Sequence, residues 1–466
     1  MIIVQRDSFA RNDEVTESLR LMKKKEENFL IVNEQKQERA ILVGVNLNND
    51  PVFAHSLKEL KELARACHIE VVCIHTQNLS TPNAALYIGS GKLDEVRESL
   101  AMYEANTVIF DNALSPVQVR NLSKELDALI LDRTSLILRI FEERAKTGEA
   151  KMQVELAKYQ YMLPRLVGLR DNLSRQGGAS GSLSNKGSGE KKLELDRRRI
   201  EKHISELKNQ LNTMEQNKAT MRKKRNLSAL SQVALVGYTN AGKSTILNQL
   251  VSRFSPDESK LVLEKDMLFA TLETKVRQIA PPGKKAFLLS DTVGFIDKLP
   301  HQLIKAFRST LQEVKEADLL LHVVDYSDSD MDEHLRVTKE TLLELSASHI
   351  PVLYVFNKVD KVPFVASDAL DVYYPRQLGD KLYLSAKTEE GIQLLLEAIE
   401  KALSEGDKEA VLLLPFSQGH IVSYLTREAR VIAAEYTPDG TLLTVRGPAA
   451  VIDRFLEFEV PCQRME

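Results

Sequence analysis

The chain has 466 residues and a formal net charge of −3. Its 43% hydrophobic and 28% charged residues are typical of soluble globular domains. At about 150 residues per domain, this length allows three domains. The only cysteines are Cys67, Cys73 and Cys462, without a Cys-x-x-Cys pair, so neither a disulfide framework nor a cysteine zinc site is supported. No apolar stretch approaches the roughly 18 residues of a membrane span, and the apolar start at Met1 is too short for a signal peptide, so we expect a cytoplasmic protein, with peripheral membrane contact left open.

Residues 1–37 are polar and charged, and we predict a mobile extension there. Residues 38–134 alternate short apolar runs with amphipathic stretches, which predicts a small N-terminal α/β domain. The predicted strands are Ile41 to Val45, Val71 to Ile74, Val108 to Phe110 and Ala128 to Leu131, and the predicted helices are Ser56 to Arg65, Leu93 to Tyr103 and Val117 to Leu126. Gly89-Ser-Gly-Lys92 opens one of these helices and could offer N–H groups to an anion, although a plain glycine turn is the more common explanation.

Residues 135–228 are predicted to form a long helical hairpin whose first helix runs from Ser135 to Leu166. A heptad pattern in the second helix predicts that it packs against a partner helix. Its members are Ile200, Ile204, Leu207, Leu211, Met214 and Met221, and the partner positions are Val154, Leu156, Tyr159 and Leu163.

The predicted tip of this hairpin, Asn172 to Lys192, is rich in glycine and basic residues, including Arg175, Lys186, Lys191 and Lys192. Residues 165–226 carry 16 Lys and Arg against 7 Asp and Glu, a local charge of +9 that leaves −12 elsewhere. Such a basic segment is the usual footprint of nucleic-acid binding. A solvated helix face and a charged disordered loop remain the simpler alternatives.

Residues 229–406 contain the motifs of a GTP-binding domain. Residues 237 to 245 read Gly-Tyr-Thr-Asn-Ala-Gly-Lys-Ser-Thr, a full P-loop between the apolar run Val233 to Val236 and a helical pattern from Ile246. In this motif backbone N–H groups surround the phosphates, Lys243 reaches the β and γ oxygens, and the Ser244 hydroxyl ligates Mg²⁺. Four further apolar runs predict a parallel sheet buried on both faces: Ala286 to Leu289, Leu319 to Val324, Val352 to Phe356 and Leu382 to Leu384.

The other nucleotide motifs follow these predicted strands. In Asp291-Thr-Val-Gly294, Asp291 would hold the Mg²⁺ shell through water and the Gly294 N–H would meet the γ-phosphate. Thr271 is the candidate second hydroxyl ligand of Mg²⁺, with Thr274 three residues away as an alternative. Asn357-Lys-Val-Asp360 predicts guanine recognition, because the Asp360 carboxylate can accept from the ring N–H and the amino group of guanine. Ser385-Ala-Lys387 can donate a backbone N–H to guanine O6. We therefore predict GTP rather than ATP as the nucleotide.

Phe295 departs from the Ras-type switch, in which a Gln at this position orients the attacking water. A phenyl ring cannot do so, and Asn240 of the P-loop offers two alternatives: a ligand for K⁺ beside the phosphates, or a residue that only fixes the loop.

The predicted catalytic residues are Lys243, Asn240, Thr271 and Gly294, and the predicted metal ligands are Ser244 and Thr271. The full set predicted to bind the nucleotide is Gly237, Tyr238, Thr239, Asn240, Ala241, Gly242, Lys243, Ser244, Thr245, Phe269, Ala270, Thr271, Leu272, Glu273, Asp291, Thr292, Val293, Gly294, Asn357, Lys358, Val359, Asp360, Ser385, Ala386 and Lys387.

Residues 409–466 are predicted to form a small C-terminal α+β module without recognisable chemistry. Its strands are predicted at Val411 to Leu414, Val431 to Tyr436 and Leu442 to Val445, with a hairpin turn at Pro438-Asp-Gly440 and helices at Gly419 to Arg430 and Ala449 to Phe455.

From about residue 40 onwards the chain resembles the bacterial HflX family of P-loop GTPases. The resemblance rests on Tyr87-Ile-Gly-Ser-Gly-Lys92, Leu114-Ser-Pro-Val-Gln118, Asn121-Leu122, Asp132-Arg133-Thr134, Gln153-Val-Glu-Leu156, Leu163-Pro-Arg165, Leu173-Ser-Arg-Gln-Gly-Gly178, Asp196-Arg-Arg-Arg-Ile200, the P-loop, Leu268-Phe-Ala-Thr271 and Asp291-Thr-Val-Gly-Phe295. It implies a monomeric, Mg²⁺-dependent GTPase that binds the large (50S) ribosomal subunit and its rRNA through the helical tip and dissociates stalled or idle 70S ribosomes. The alternatives are a GTPase of large-subunit assembly and an ATP-dependent RNA remodeller that uses the N-terminal domain.

Overall fold

The computed structural model describes residues 38–175, 183–226, 230–255, 269, 275–298, 312–362, 374–404 and 407–460. These residues form two compact units: one contains the described chain up to Ile140 and Met162–Arg197, and the other contains Phe141–Tyr161 and the described chain from Arg198. Both units mix helices with sheets, so the predicted α/β class is confirmed.

The first unit is built on a parallel four-stranded sheet of order β2-β1-β3-β4. The elements are β1 (Arg39–Leu47), α1 (Phe53–Ala66), β2 (Glu70–Leu79), α2 (Ser90–Met102), β3 (Thr107–Phe110), α3 (Pro116–Leu126) and β4 (Leu129–Asp132). Each predicted strand and helix of this domain is present. The α3 helix begins in a capping box, because Ser115 accepts from Gln118 N–H and the Gln118 side chain accepts from Ser115 N–H.

A buried ionic cluster follows β4. Arg133 is 2% exposed, and its guanidinium donates to Glu59 at 2.6 Å and to Asp111 at 2.7 Å. Asp132 is also buried, and it accepts from Arg165 at 2.8 Å. Buried charges are tolerated when they are paired and hydrogen-bonded in this way.

Two helices replace the single helix predicted for Ser135 to Leu166: α4 (Arg133–Arg144) and α5 (Gly148–Arg175). The break has a local cause, because the Thr147 side chain accepts from the Ala150 N–H at 3.2 Å and so caps the start of α5. The second arm of the hairpin is α6 (Leu183–Asn226). Helix therefore extends into both ends of the predicted Asn172 to Lys192 tip, and of its residues only 176–182 lie outside the described chain.

The prediction that the two helices pair is confirmed for the middle of the heptad pattern, within the second unit. Ile204 and Leu207 of α6 are buried, as are Val154 and Leu156 of α5. The two helices contact each other where His203 meets the Tyr159 ring edge to face, with centroids 5.3 Å apart. The two helices therefore lie against each other at this level, where these four predicted apolar positions are buried.

The P-loop region of the second unit is a seven-stranded sheet of order β10-β11-β9-β8-β5-β7-β6. Its strands are β5 (Ser231–Gly237), β6 (Lys275–Ile279), β7 (Phe287–Asp291), β8 (Leu319–Asp325), β9 (Val352–Asn357), β10 (Arg376–Leu378) and β11 (Lys381–Tyr383). The five inner strands are parallel, as predicted, but the edge strands β6 and β10 are antiparallel and were not predicted.

Helices cover both faces of this sheet. They are α7 (Lys243–Phe254), α8 (Gln312–Lys315), α9 (Met331–Glu344) and α10 (Ile392–Leu403). The α7 and α10 helices pack over one buried apolar cluster, and α8 and α9 pack over the other. The motif-bearing loops follow the carboxyl ends of the parallel inner strands, and this is the edge at which α/β sheets bind ligands.

The C-terminal residues form an antiparallel sheet of order β12-β14-β13. Its elements are β12 (Asp407–Leu414), α11 (Gly419–Glu428), β13 (Arg430–Thr437), β14 (Gly440–Pro448) and α12 (Ala449–Ile452). The predicted final helix is wrong beyond Ile452, where the chain changes to a 3₁₀ helix with a kink at Phe455. In the described part of the chain, no helix is long and apolar enough to cross a membrane.

Candidate nucleotide site

The P-loop lies between β5 and α7, and Lys243 is its buried centre. The ammonium group donates to the carbonyl oxygens of Gly237 at 3.0 Å and Tyr238 at 2.7 Å. Burial lowers the pKa of Lys243 to about 8, against the opposing effect of Asp291 and with a smaller contribution from the positive charge of Lys358. A phosphate oxygen near this group would favour its charged form.

Two glycines bring the loops of this site into close contact. Gly242 has a φ of +97°, and a Cβ atom there would lie 2.2 Å from Asn357 Nδ2. A Cβ on Gly294 would lie 2.8 Å from Thr239 Cα and 3.1 Å from Lys243 Nζ. Gly294 therefore lies directly against the P-loop, at the position from which its N–H could meet a terminal phosphate.

A hydroxyl and a carboxylate meet at the predicted metal position. Ser244 Oγ donates to Asp291 Oδ2 at 2.7 Å, and Asp291 is fully buried at the end of β7. Oxygen donors of these two kinds suit Mg²⁺, so the residues present fit the predicted ion. Thr271, the second predicted ligand, lies outside the described residues, as do Ala270, Leu272, Glu273 and the alternative Thr274.

The guanine loop is tied to the P-loop by Asn357 at the end of β9. Its Nδ2 donates to the Ala241 carbonyl oxygen at 2.9 Å, and its Oδ1 accepts from the Ala386 N–H at 2.9 Å. Asn357 is 2% exposed. One buried amide therefore fixes all three loops that the sequence assigned to the nucleotide.

Lys358 makes a second connection between the same loops. Its ammonium group donates to the Asn240 carbonyl oxygen at 2.7 Å and to Asp325 Oδ2 at 2.7 Å. Although its burial opposes the effect, hydrogen bonds from Lys358 and Ser327 lower the pKa of Asp325. Asp325 was not predicted, although an acidic residue closing the apolar run of β8 was a usable signal.

Asp360 is exposed at the open end of this loop, where Ser385 Oγ donates to its Oδ1 at 2.6 Å. The Ser385 hydroxyl also accepts from the Thr388 N–H at 3.2 Å. An aspartate oriented in this way can present carboxylate oxygens to the N–H edge of a purine. Lys387 is exposed beside it.

Phe295 faces the core rather than the P-loop. It is 2% exposed and belongs to the apolar cluster beneath α9. Its backbone pairs with the P-loop instead, because its N–H donates to Gly237 O at 3.1 Å and its carbonyl oxygen accepts from the Thr239 N–H at 2.8 Å. The ring is therefore in no position to orient water.

The Tyr238 side chain reaches out of the P-loop on the same side. It stacks on His334 of α9, with ring centroids 3.8 Å apart and an interplanar angle of 17°. Its hydroxyl oxygen accepts from the Asp297 N–H at 2.8 Å, three residues beyond Gly294. The sequence placed Tyr238 in the site but gave no sign of the His334 partner.

The remaining predicted residues surround this centre. Thr292 Oγ1 donates to the Leu235 carbonyl oxygen at 2.6 Å, Val293 and Val359 are buried, and Thr245 is half-buried in the first turn of α7. His322 of β8 lies beneath the loop and was not predicted. Burial, together with the charge of Lys243, lowers the pKa of His322 to about 4. The side chains of Arg175, Lys186, Lys191 and Lys192 lie outside the described part of the chain.

Three family models match successive parts of the chain. One described as GTP-binding GTPase N-terminal matches residues 54–142, one described as GTP-binding GTPase Middle Region matches residues 144–225, and one described as 50S ribosome-binding GTPase matches residues 232–358.

Relatives named GTPase HflX match over nearly the whole length. A GTPase HflX of Caldanaerobacter subterraneus subsp. tengcongensis is 40% identical over 422 residues, covering 91% of this chain and 94% of that protein. A GTPase HflX of Escherichia coli is 36% identical and covers 88% of this chain and 94% of that protein. Among solved structures, a GTP-binding protein of Sulfolobus solfataricus in complex with GDP is 26% identical, with a TM-score of 0.41, over 78% of this chain and 98% of that chain.

Proposed function

This chain belongs to the HflX family of GTPases, and from that premise we propose that it binds the large ribosomal subunit and dissociates stalled or idle 70S ribosomes. GTP binding and hydrolysis follow from membership of this family. The ribosomal action is supported by two further observations: the match of residues 232–358 to a family of 50S ribosome-binding GTPases and the net +9 charge of residues 165–226.

The observation that carries the nucleotide assignment is the double hydrogen bond of Asn357. Purine recognition and phosphate binding are functions of separate loops, and a buried amide that joins them at 2.9 Å on both sides gives them a fixed spacing. We infer that Asp360 reads the guanine edge while Lys243 and the P-loop N–H groups bind the phosphates.

In the reaction, water attacks the γ-phosphorus in line with the departing GDP oxygen. Charge that accumulates on the phosphate oxygens is stabilised by Lys243 and by the Gly294 N–H. Ser244 and Thr271 would hold Mg²⁺ directly and Asp291 would hold it through water, and this ion would supply positive charge beside the phosphates. Because Phe295 is buried in the core, we expect intrinsic hydrolysis to be slow and to rise when the large subunit binds.

For Asn240 we retain both alternatives. Its φ of +59° and the hydrogen bond from Lys358 to its carbonyl oxygen support a loop-fixing role, and its exposure beside the phosphate position is compatible with a K⁺ ligand. Turnover in potassium and sodium buffers, with wild type and Asn240→Ala, separates the two. A rate that is higher in potassium and loses this preference in the variant supports K⁺ binding, whereas equal rates in both salts support loop fixing.

Light scattering of intact 70S ribosomes tests the ribosomal proposal. With a non-hydrolysable GTP analogue the protein should lower the scattering, and with GDP it should not. Cosedimentation with large subunits without loss of 70S scattering would favour the assembly GTPase instead. Binding of adenine nucleotide to the N-terminal part of the chain would favour the RNA remodeller.

The proposed domains are residues 1–37, 38–134, 135–228, 229–406 and 409–466, in a cytoplasmic monomer. Sedimentation equilibrium at 52.5 kDa would support the monomer.

A further inference from the structure

A buried aromatic pair joins Phe269, two residues before Thr271, to Phe141 of α4. Phe269 is 2% exposed and Phe141, near the end of α4, is 1% exposed. Their ring centroids are 4.7 Å apart at an interplanar angle of 79°. This is the edge-to-face geometry that aromatic rings prefer, and both residues belong to the second unit.

The backbone of Phe269 indicates that this position is held by its surroundings. Its φ is +55°, in the left-handed region that bulky residues rarely adopt. Such a conformation persists where the neighbouring structure imposes it, and it is common in segments that switch. The phenyl ring of Phe269 is anchored by its contact with Phe141.

Phe269 is also close in the chain to the predicted Mg²⁺ ligand. Two peptide units separate it from Thr271, so their Cα atoms can be at most about 7 Å apart. The anchored Phe269 ring therefore fixes one point of the chain within about 7 Å of the residue whose hydroxyl must reach the metal ion.

We propose that the Phe141–Phe269 contact is a positioning contact, through which the helical segment Phe141–Tyr161 and the GTP-bound form of the Thr271 loop favour each other. The inference rests on the proposed function, because it takes Thr271 as the residue that responds to the γ-phosphate. Phe141 touches no nucleotide in this proposal. It acts only by holding the Phe269 ring.

Coupling of this kind is measured as a ratio of affinities in the isolated protein with Mg²⁺ and without ribosomes. The variants are Phe141→Leu, Phe269→Leu and the double variant. Each single variant should lower the preference for a non-hydrolysable GTP analogue over GDP about fivefold, the lower end of typical allosteric coupling. For Phe141→Leu, whose residue lies outside the set predicted to bind the nucleotide, GDP affinity should stay at the wild-type level. The double variant should match the single variants, because both changes remove the same contact.

The matched control is Phe110→Leu, which removes a ring of equal burial from the first unit, where Phe110 and Tyr87 form another edge-to-face pair with centroids 6.3 Å apart. It should leave the affinity ratio unchanged. Should the leucine variants fail to fold, Met at the same two positions fills the apolar space flexibly and carries the same expectation.

Three results would overturn the inference: equal loss of GDP and analogue binding, multiplying losses in the double variant, or the same change in Phe110→Leu. If the wild type does not bind the analogue at all, the proposed function fails. If it binds normally and the variants keep its ratio, only the positioning contact fails.

Discussion

Asn357 and Ala241 are 116 positions apart in the chain, and the side-chain amide of the first donates to the main-chain carbonyl oxygen of the second at 2.9 Å. Because Asn357 also accepts from Ala386, removing its side chain releases two loops at once. We expect Asn357→Ala to weaken GTP and GDP alike by at least about tenfold, since an unmade buried hydrogen bond costs about 1–3 kcal/mol. Asn357→Asp should do no better, because it places a carboxylate oxygen against the Ala241 carbonyl. Titration with fluorescent nucleotides measures both, and wild-type affinity in the Asp variant would contradict the role.

Asp360→Asn should change the preferred base. An amide can donate to the 2-oxo group of xanthine, whereas the original carboxylate accepts from the amino group of guanine. GTP affinity should fall and XTP affinity should rise, as measured by competition against a labelled nucleotide. The control is Asp380→Asn, an exposed carboxylate at the edge of the same sheet, which should leave the preference intact. Unchanged GTP affinity in Asp360→Asn would refute base reading by this residue.

Nucleotide binding should take up a proton at alkaline pH. The pKa of Lys243 is lowered to about 8, so at pH 9 the ammonium group is largely deprotonated in the protein alone, and phosphate oxyanions restore its proton. We expect uptake approaching one proton at pH 9, little uptake at pH 7, and an affinity that falls as pH rises above 8. Calorimetry in buffers of different ionisation enthalpy measures the uptake. Lys243→Arg should show none, because a guanidinium stays charged; equal uptake at both pH values would refute the assignment.

Acid should unfold this protein partly through His322. Its pKa is lowered to about 4 from the ordinary 6.5, so the unfolded chain binds this proton more readily than the folded one. The folded state should keep its stability above pH 6.5 and lose roughly 3 kcal/mol of unfolding free energy from this group as pH falls towards 4. Denaturant midpoints between pH 7 and 4.5 should fall less steeply for His322→Gln than for the exposed control His420→Gln. Parallel curves would contradict this origin.

The predicted tip should contribute to ribosome binding mainly through charge. Replacing its four basic residues with Gln should weaken large-subunit binding and make its salt dependence shallower by about 3 to 4 units of slope, because each neutralised phosphate contact contributes nearly one. Nucleotide affinity should not change. The residues concerned are Arg175, Lys186, Lys191 and Lys192. Replacing the exposed Lys401 alone should leave the slope as it was, and an unaltered slope in the fourfold variant would place the RNA contacts elsewhere.

The sequence could predict the inner strands of the GTPase sheet because a strand buried on both faces must be apolar almost throughout, as in Leu319–Asp325. The edge strands were not predicted, for the opposite reason. Arg376–Leu378 is three residues long and carries a charge, and in Lys275–Ile279 only the last residue is buried. An edge strand needs little apolar surface, so periodicity hardly marks it.

Motif spacing predicted which loops meet, but not what holds them together. The links from Lys358 to Asp325 and from Tyr238 to His334 join residues far apart in the chain, and no local pattern specifies such pairs. The positive φ of Phe269 is likewise invisible in the residues around it. Helix extent at the predicted tip was missed because Gly187 and Gly189 suggested a loop, whereas the flanking Lys, Glu and Leu residues continue α6 through them.

The ion pair between Asp132 and Arg165 determines how much of the chain an excised first domain must contain. A fragment ending at Thr134 would keep the fully buried Asp132 carboxylate but lose the guanidinium that pairs with it. It would also lose most of α4, including Leu136 and Ile137, whose side chains are completely buried. Truncations designed to study the N-terminal half alone should therefore continue past Arg165. If a shorter fragment fails to fold, the cause is the loss of this arginine and says nothing about the activity of the domain.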